Sequence, residues 1–98
     1  MIFGGDLGNR PVNADMNIVA ASHDPYAAFI GGDIVYDNGY LECYCMYDRF
    51  LTDWQKVMVR SDGALIPIVP AVGNHDAGKN AFSGAYHHND ETLFNVYL

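Results

Sequence analysis

Cations are scarce in this sequence. Five Lys and Arg stand against twelve Asp and Glu, a formal net charge of -7 with a pI near 4.6. That balance argues against a nucleic-acid binder, since such proteins gain affinity by neutralising phosphates with Lys and Arg. It is compatible with holding metal ions, although most acidic surfaces are simply solvated. Long apolar runs are lacking as well: none approaches the roughly 20 residues of a membrane-spanning helix. No basic-then-apolar leader is visible, and Met1-Ile2-Phe3 reads instead as the last residues of a strand whose beginning is missing. Cysteines number two, Cys43 and Cys45, only two positions apart. Such neighbours rarely close a good disulfide, and two thiols make at most half of a zinc site, so both read as small packing side chains.

What remains is globular material. Half of the 98 residues are hydrophobic, enough for one small domain. The order of elements can be read along the chain. Ile2-Phe3 leads into Gly4-Gly5-Asp6-Leu7-Gly8, a strand end followed by a glycine-rich loop. Residues 13–22 read as a short helix with Asn13 as its N-cap and Met16, Val19 and Ala20 on one face. Pro25 disfavours helical geometry in Asp24 and marks the end of that helix. A second strand is expected over residues 26–30.

The strongest helical signal follows. Tyr47, Phe50, Leu51, Trp54, Val57 and Met58 fall at offsets of zero, three, four, seven, ten and eleven, a broad apolar stripe. Lys56 and Arg60 suit the negative pole of this helix, and Ser61-Asp62-Gly63 is expected to stop it. A third strand is expected over residues 65–72, apolar enough to be buried on both faces. Pro67 and Pro70 disturb it, because proline cannot donate to a sheet ladder; its pairing is then irregular or begins late. Residues 79–91 read as a surface loop and 92–98 as the start of another element.

The fold class is therefore α/β, with the order β-α-β-α-β and a parallel sheet joined by right-handed crossovers. In such a sheet the residues just past the carboxyl ends of the strands share one edge, where ligands bind. Asp6, Asp33, Tyr36, Asn74 and His75 all lie just past an expected strand end. The second of these ends, Gly31-Gly32-Asp33-Ile34-Val35-Tyr36, sets a carboxylate and a phenol three residues apart. Carboxylate, phenolate and amide oxygens suit hard cations, and imidazole suits iron and zinc. Asp33 could bridge two ions, with Asp6 and Tyr36 on one side and Asn74 on the other, and His75 placed to donate a proton. Each residue alone has an ordinary explanation: Gly-Asp after a strand is usually a turn, and Asp76 either orients His75 or caps the next turn. Residues 33–39 are not an EF-hand loop, since the alternating acidic spacing and the terminal Glu are missing.

Gly5-Asp6-Leu7-Gly8, Gly32-Asp33-Ile34-Val35-Tyr36 and Gly73-Asn74-His75-Asp76 resemble the first three sequence blocks of the calcineurin-like metallophosphoesterases. The purple acid phosphatase branch is the most similar, with Gly-Asp-x-Gly in its first block and a tyrosine three residues after the aspartate of its second. The resemblance covers residues 2–78. It implies a layered metallophosphoesterase fold, of which residues 1–98 form the N-terminal part of a single catalytic domain. It implies that Asp6 and Tyr36 hold a ferric ion, that Asp33 bridges it to a second ion (iron, zinc or manganese), and that Asn74 ligates that second ion. His75 would help to bind phosphate and protonate the leaving alcohol. The implied reaction is hydrolysis of a phosphate monoester by metal-activated water, favoured at acidic pH, in a secreted or lysosomal or vacuolar enzyme.

Two further blocks of that family, Val-x-x-His and Gly-His-x-His, supply three histidine ligands and do not occur here. His87 and His88 match neither pattern and read as loop residues. The chain is thus expected to encode half of a site and to be weakly active or inactive alone. Apolar faces would be left for the missing half, or for self-association, to cover. Two rival readings remain, a related phosphodiesterase or nucleotidase of the same fold and a non-catalytic remnant.

Overall fold

A computed structural model describes residues 1–8, 10–38, 40–77 and 97–98. In chain order they form strand β1 (Ile2–Gly4), helix α1 (Pro11–Ser22), strand β2 (Ala28–Ile30), a 3-10 turn (Leu41–Cys43), helix α2 (Tyr44–Val57) and strand β3 (Ile68–Pro70). The three strands form a parallel sheet in the order β1-β2-β3. The expected β-α-β-α-β order holds. The loop expected over residues 79–91, and all but the last two residues of the element after it, lie outside the described residues.

Both crossovers step the same way across the sheet, and two connections of one hand then lay both helices on one face. There α1 packs beside α2. The core beneath them joins Ala28 and Ile30 of β2 to Tyr47, Phe50 and Trp54 of α2, with Ile34, Val35, Met58 and Ile66. The Trp54 indole donates to Ile66 O at 2.9 Å, so its one polar atom is satisfied inside the core.

The two helices meet that core differently. The α2 stripe behaves as its spacing predicts. The α1 face does not: Met16 and Val19 are 64% and 61% exposed, and the half-buried positions are Asn13, Ala14, Asn17, Ala20 and Ala21. Small and amide side chains let the helix approach closely, while its bulkier apolar residues face outward. Its N-cap is Arg10, with Pro11 at the first turn where a missing N–H costs nothing, in place of the expected Asn13. At its other end Asp24 takes a left-handed φ of 50°, and its N–H closes the helix on Ala21 O at 2.9 Å.

The ends of α2 and β3 also differ from expectation. The helix stops at Val57, before Ser61-Asp62-Gly63, and Val59 forms an antiparallel bridge with Leu65. Arg60 therefore lies beyond the helix pole, paired with Asp62 at 3.1 Å and set over the Tyr26 ring at 4.2 Å. Pairing of the third strand begins late, at Pro67, whose carbonyl accepts from Ala28 N at 2.9 Å. Ala71 N donates to Ile30 O at 2.8 Å, so by alternation Pro70 turns its nitrogen away from β2 and removes no bond of the described ladder. β3, last in order among the described strands, is not buried on both faces, since Val69 is 43% exposed. Phe3, Phe29 and Val69 stand in register on the side away from the helices, with Phe3 stacked on Phe29 at 5.1 Å. Phe3 is 77% exposed, so among the described residues this face is largely bare.

Candidate metal centre

The backbone past each strand end is committed to a particular path. Beyond β1, the N–H groups of Asp6, Leu7 and Gly8 donate to the carbonyls of Gly32, Asp33 and Ile34 at 2.8–3.1 Å, so the two segments run on side by side. Beyond β3, the segment holding Asn74 and His75 crosses close to Gly32. A Cβ on Gly32 would come within 2.6 Å of Gly73 backbone atoms, and one on Gly73 within 2.1 Å of Asp33 Oδ1. Only glycine fits at this crossing.

Four non-glycine residues here adopt left-handed backbone: Asp6, Asp33, Tyr36 and Asn38, with φ between 53° and 60°. Such conformations are unfavourable for side-chain-bearing residues and most so for tyrosine, so they persist only where surrounding contacts enforce them. One source of enforcement is Asp76, which is fully buried. Its Oδ2 accepts from Asp33 N at 2.7 Å and Gly73 N at 2.9 Å; its Oδ1 accepts from Ile34 N at 3.0 Å and the Tyr47 hydroxyl at 3.4 Å. Asp76 makes no described bond to the His75 ring. It ties the second and third strand ends together and closes the turn at Gly73.

Four of the five residues singled out from the sequence, Asp6, Tyr36, His75 and Asp33, fall along one path of contacts. The Tyr36 hydroxyl donates to Asp6 Oδ1 at 2.8 Å. The Tyr36 and His75 rings lie 4.4 Å apart, tilted by 43°. His75 N donates to Asp33 Oδ1 at 3.0 Å. Asn74 is exposed in the turn between Gly73 and His75. Asp6 and Tyr36 also line a cleft of about 580 Å³ with Leu7, Gly8, Arg10, Asn13, Val35 and Met46. Asp33, Asn74 and His75 do not line it.

The hydrogen bond from Tyr36 to Asp6 is the first reason that the phenol holds its proton up to about 12; loss of solvent and the charges of Asp6, Asp33 and Asp76 add to it. Burial, then the charges of Asp76 and Asp37, push Tyr47 higher still. As they stand, both tyrosines are neutral donors at any ordinary pH. A hard cation beside Asp6 would reverse the balance at Tyr36 by favouring the phenolate.

Sequence reasoning missed Asn38, Asp37 and Arg10 as site residues, and read Asn13 only as a helix cap. Asn38 touches His75, Asp37 is 1% exposed, and Arg10 and Asn13 wall the cleft. Only the left-handed propensity of Asn38 was a sequence signal. Among the described residues no group of three His, Cys, Asp or Glu side chains converges as a metal site. No protein-family model, curated protein or solved structure matches the chain.

Proposed function

We propose that this chain contributes the first part of a dinuclear metal site that hydrolyses phosphate monoesters, on the layered fold of the calcineurin-like metallophosphoesterases and of the purple acid phosphatase type. The observation that carries the reading is the contact path Asp6–Tyr36–His75–Asp33, which links residues from three strand ends through two hydrogen bonds and a ring contact. The left-handed strain concentrated on Asp6, Asp33 and Tyr36 supports it, because folds keep such strain where side-chain direction matters.

The donors fit in part. Asp6 and Tyr36 offer a carboxylate and a phenol oxygen 2.8 Å apart, a pair of hard donors suited to a ferric ion. Asp33 and Asn74 offer oxygens for sharing with a second divalent ion, and further nitrogen ligands would come from residues outside this sequence. Bound ions would supply charge neutralisation at phosphate and a nucleophilic water near neutral pH. The chain's own residues orient these donors. Asp76 fixes the backbone of Asp33, and the His75 N–H directs Asp33 Oδ1. Next to Asn74, His75 is the proton donor for the leaving alcohol.

The test is a calorimetric titration of the 98-residue chain with ferric and zinc ions, followed by an aryl phosphate assay at pH 5 and 7. Weak binding that Asp6→Ala and Asp33→Ala each abolish is expected, with little or no turnover by this chain alone. Absence of binding, or binding indifferent to both substitutions, would sink it.

A further inference from the structure

We propose that Asn38 is a positioning residue that holds the His75 imidazole in one tautomer, with the proton on Nδ1 and the lone pair on Nε2. Asn38 Nδ2 donates to Tyr36 O at 3.0 Å, and a carbonyl oxygen can only accept, so this end of the amide must be the NH2 group. The other end, Oδ1, meets His75 Nδ1 and can only accept from it. His75 Nδ1 therefore carries the hydrogen, and in the neutral ring Nε2 is left as the basic nitrogen. The contact with the Tyr36 ring at 4.4 Å limits the tilt of the imidazole. Asn38 itself sits at φ 56°, a left-handed geometry that asparagine tolerates better than most residues.

The catalytic half of this inference rests on the metallophosphoesterase reading. When His75 gives a proton to a leaving alkoxide, Nε2 has first taken that proton from solvent water, so the ring starts as the imidazolium; the Nε2–H bond breaks and an O–H bond forms. The bonding pair stays on Nε2, and the ring ends as the Nδ1–H neutral form. That product is the tautomer Asn38 already stabilises, so no ring flip or proton exchange follows the step. A neutral amide does this without placing another charge among Asp6, Asp33 and Asp76.

Long-range nitrogen–proton NMR on the full chain, with His75→Gln to identify the signals, tests the proposal. The neutral His75 ring is expected to show a protonated Nδ1. Asn38→Gly keeps the left-handed backbone without strain and removes the amide; there the proton is expected to shift to Nε2. Asn38→Asp, which retains an acceptor at the same reach, is expected to restore Nδ1–H. An Nε2–H ring in the unaltered chain, or Nδ1–H persisting in Asn38→Gly, would overturn it. Loss of metal binding at Asp6 and Tyr36 would overturn the catalytic role alone, since the tautomer is read without metal.

Discussion

Asp33 is held by Asp76 across 43 positions of sequence: its backbone N–H donates to Asp76 Oδ2 at 2.7 Å, inside a pocket where Asp76 has no exposed surface. The same carboxylate takes two more backbone donors, from Ile34 and Gly73. The segment bearing one candidate ligand is thus locked to the segment bearing the next.

Asp76→Asn tests this lock. Whichever way the amide turns, an NH2 group faces a backbone N–H that needs an acceptor. Hydrogen bonds to a charged group contribute about 1.5–3 kcal/mol each, so the variant should lose about 3 kcal/mol in urea unfolding. A loss below about 1 kcal/mol would show that Asp76 is dispensable to the fold.

Gly73→Ala tests the crossing. Its new methyl would sit 2.1 Å from Asp33 Oδ1, where neither segment has slack. The expected cost reaches or exceeds the ~1–3 kcal/mol usual for overpacking. Gly4→Ala, with nothing within 4 Å, should stay within about 0.5 kcal/mol of the parent in the same unfolding experiment.

Much of this was legible beforehand, and the reasons for the rest are physical. The strand ends announce themselves through apolar runs that stop at glycine and aspartate. The α2 stripe is equally plain, because its bulky residues recur at helical spacing. The packing side of α1 was not, since Ala20 and Ala21 carry it while Met16 and Val19 point outward. Hydrophobicity ranks residues by transfer energy and is blind to how closely two backbones must approach. The burial of Asp76 was hidden too, because carboxylates are rarely buried and its donors, Asp33 and Ile34, lie 43 and 42 positions away.

Tyr36 gives a pH signature. In the metal-free chain its phenol should ionise near 12, read as the ultraviolet difference between the parent and Tyr36→Phe. Asp6→Ala should bring that midpoint down toward the ordinary tyrosine value of about 10. Because the folded value lies above the unfolded one, the associated stability is complete below about 10 and is lost as pH rises through about 12. A midpoint near 10 in the parent would show that Tyr36 does not hold Asp6.

Phe3 probes the sheet face that is bare among the described residues. At 77% exposed it contributes little to the described core, so Phe3→Ser should shift stability by no more than about 0.5 kcal/mol. If the uncovered row Phe3–Phe29–Val69 drives association, the parent should sediment as a larger species and the variant as a smaller one. Equal sedimentation would show that the face is not an association surface.

The central claim is that Asp6 and Tyr36 together receive a hard cation. Ferric titration monitored by visible absorption tests it most directly, because a tyrosinate bound to iron is coloured. A visible band that grows with iron in the parent and disappears in both Tyr36→Phe and Asp6→Ala is the predicted result. No band in the parent, or a band that survives Tyr36→Phe, would contradict the account.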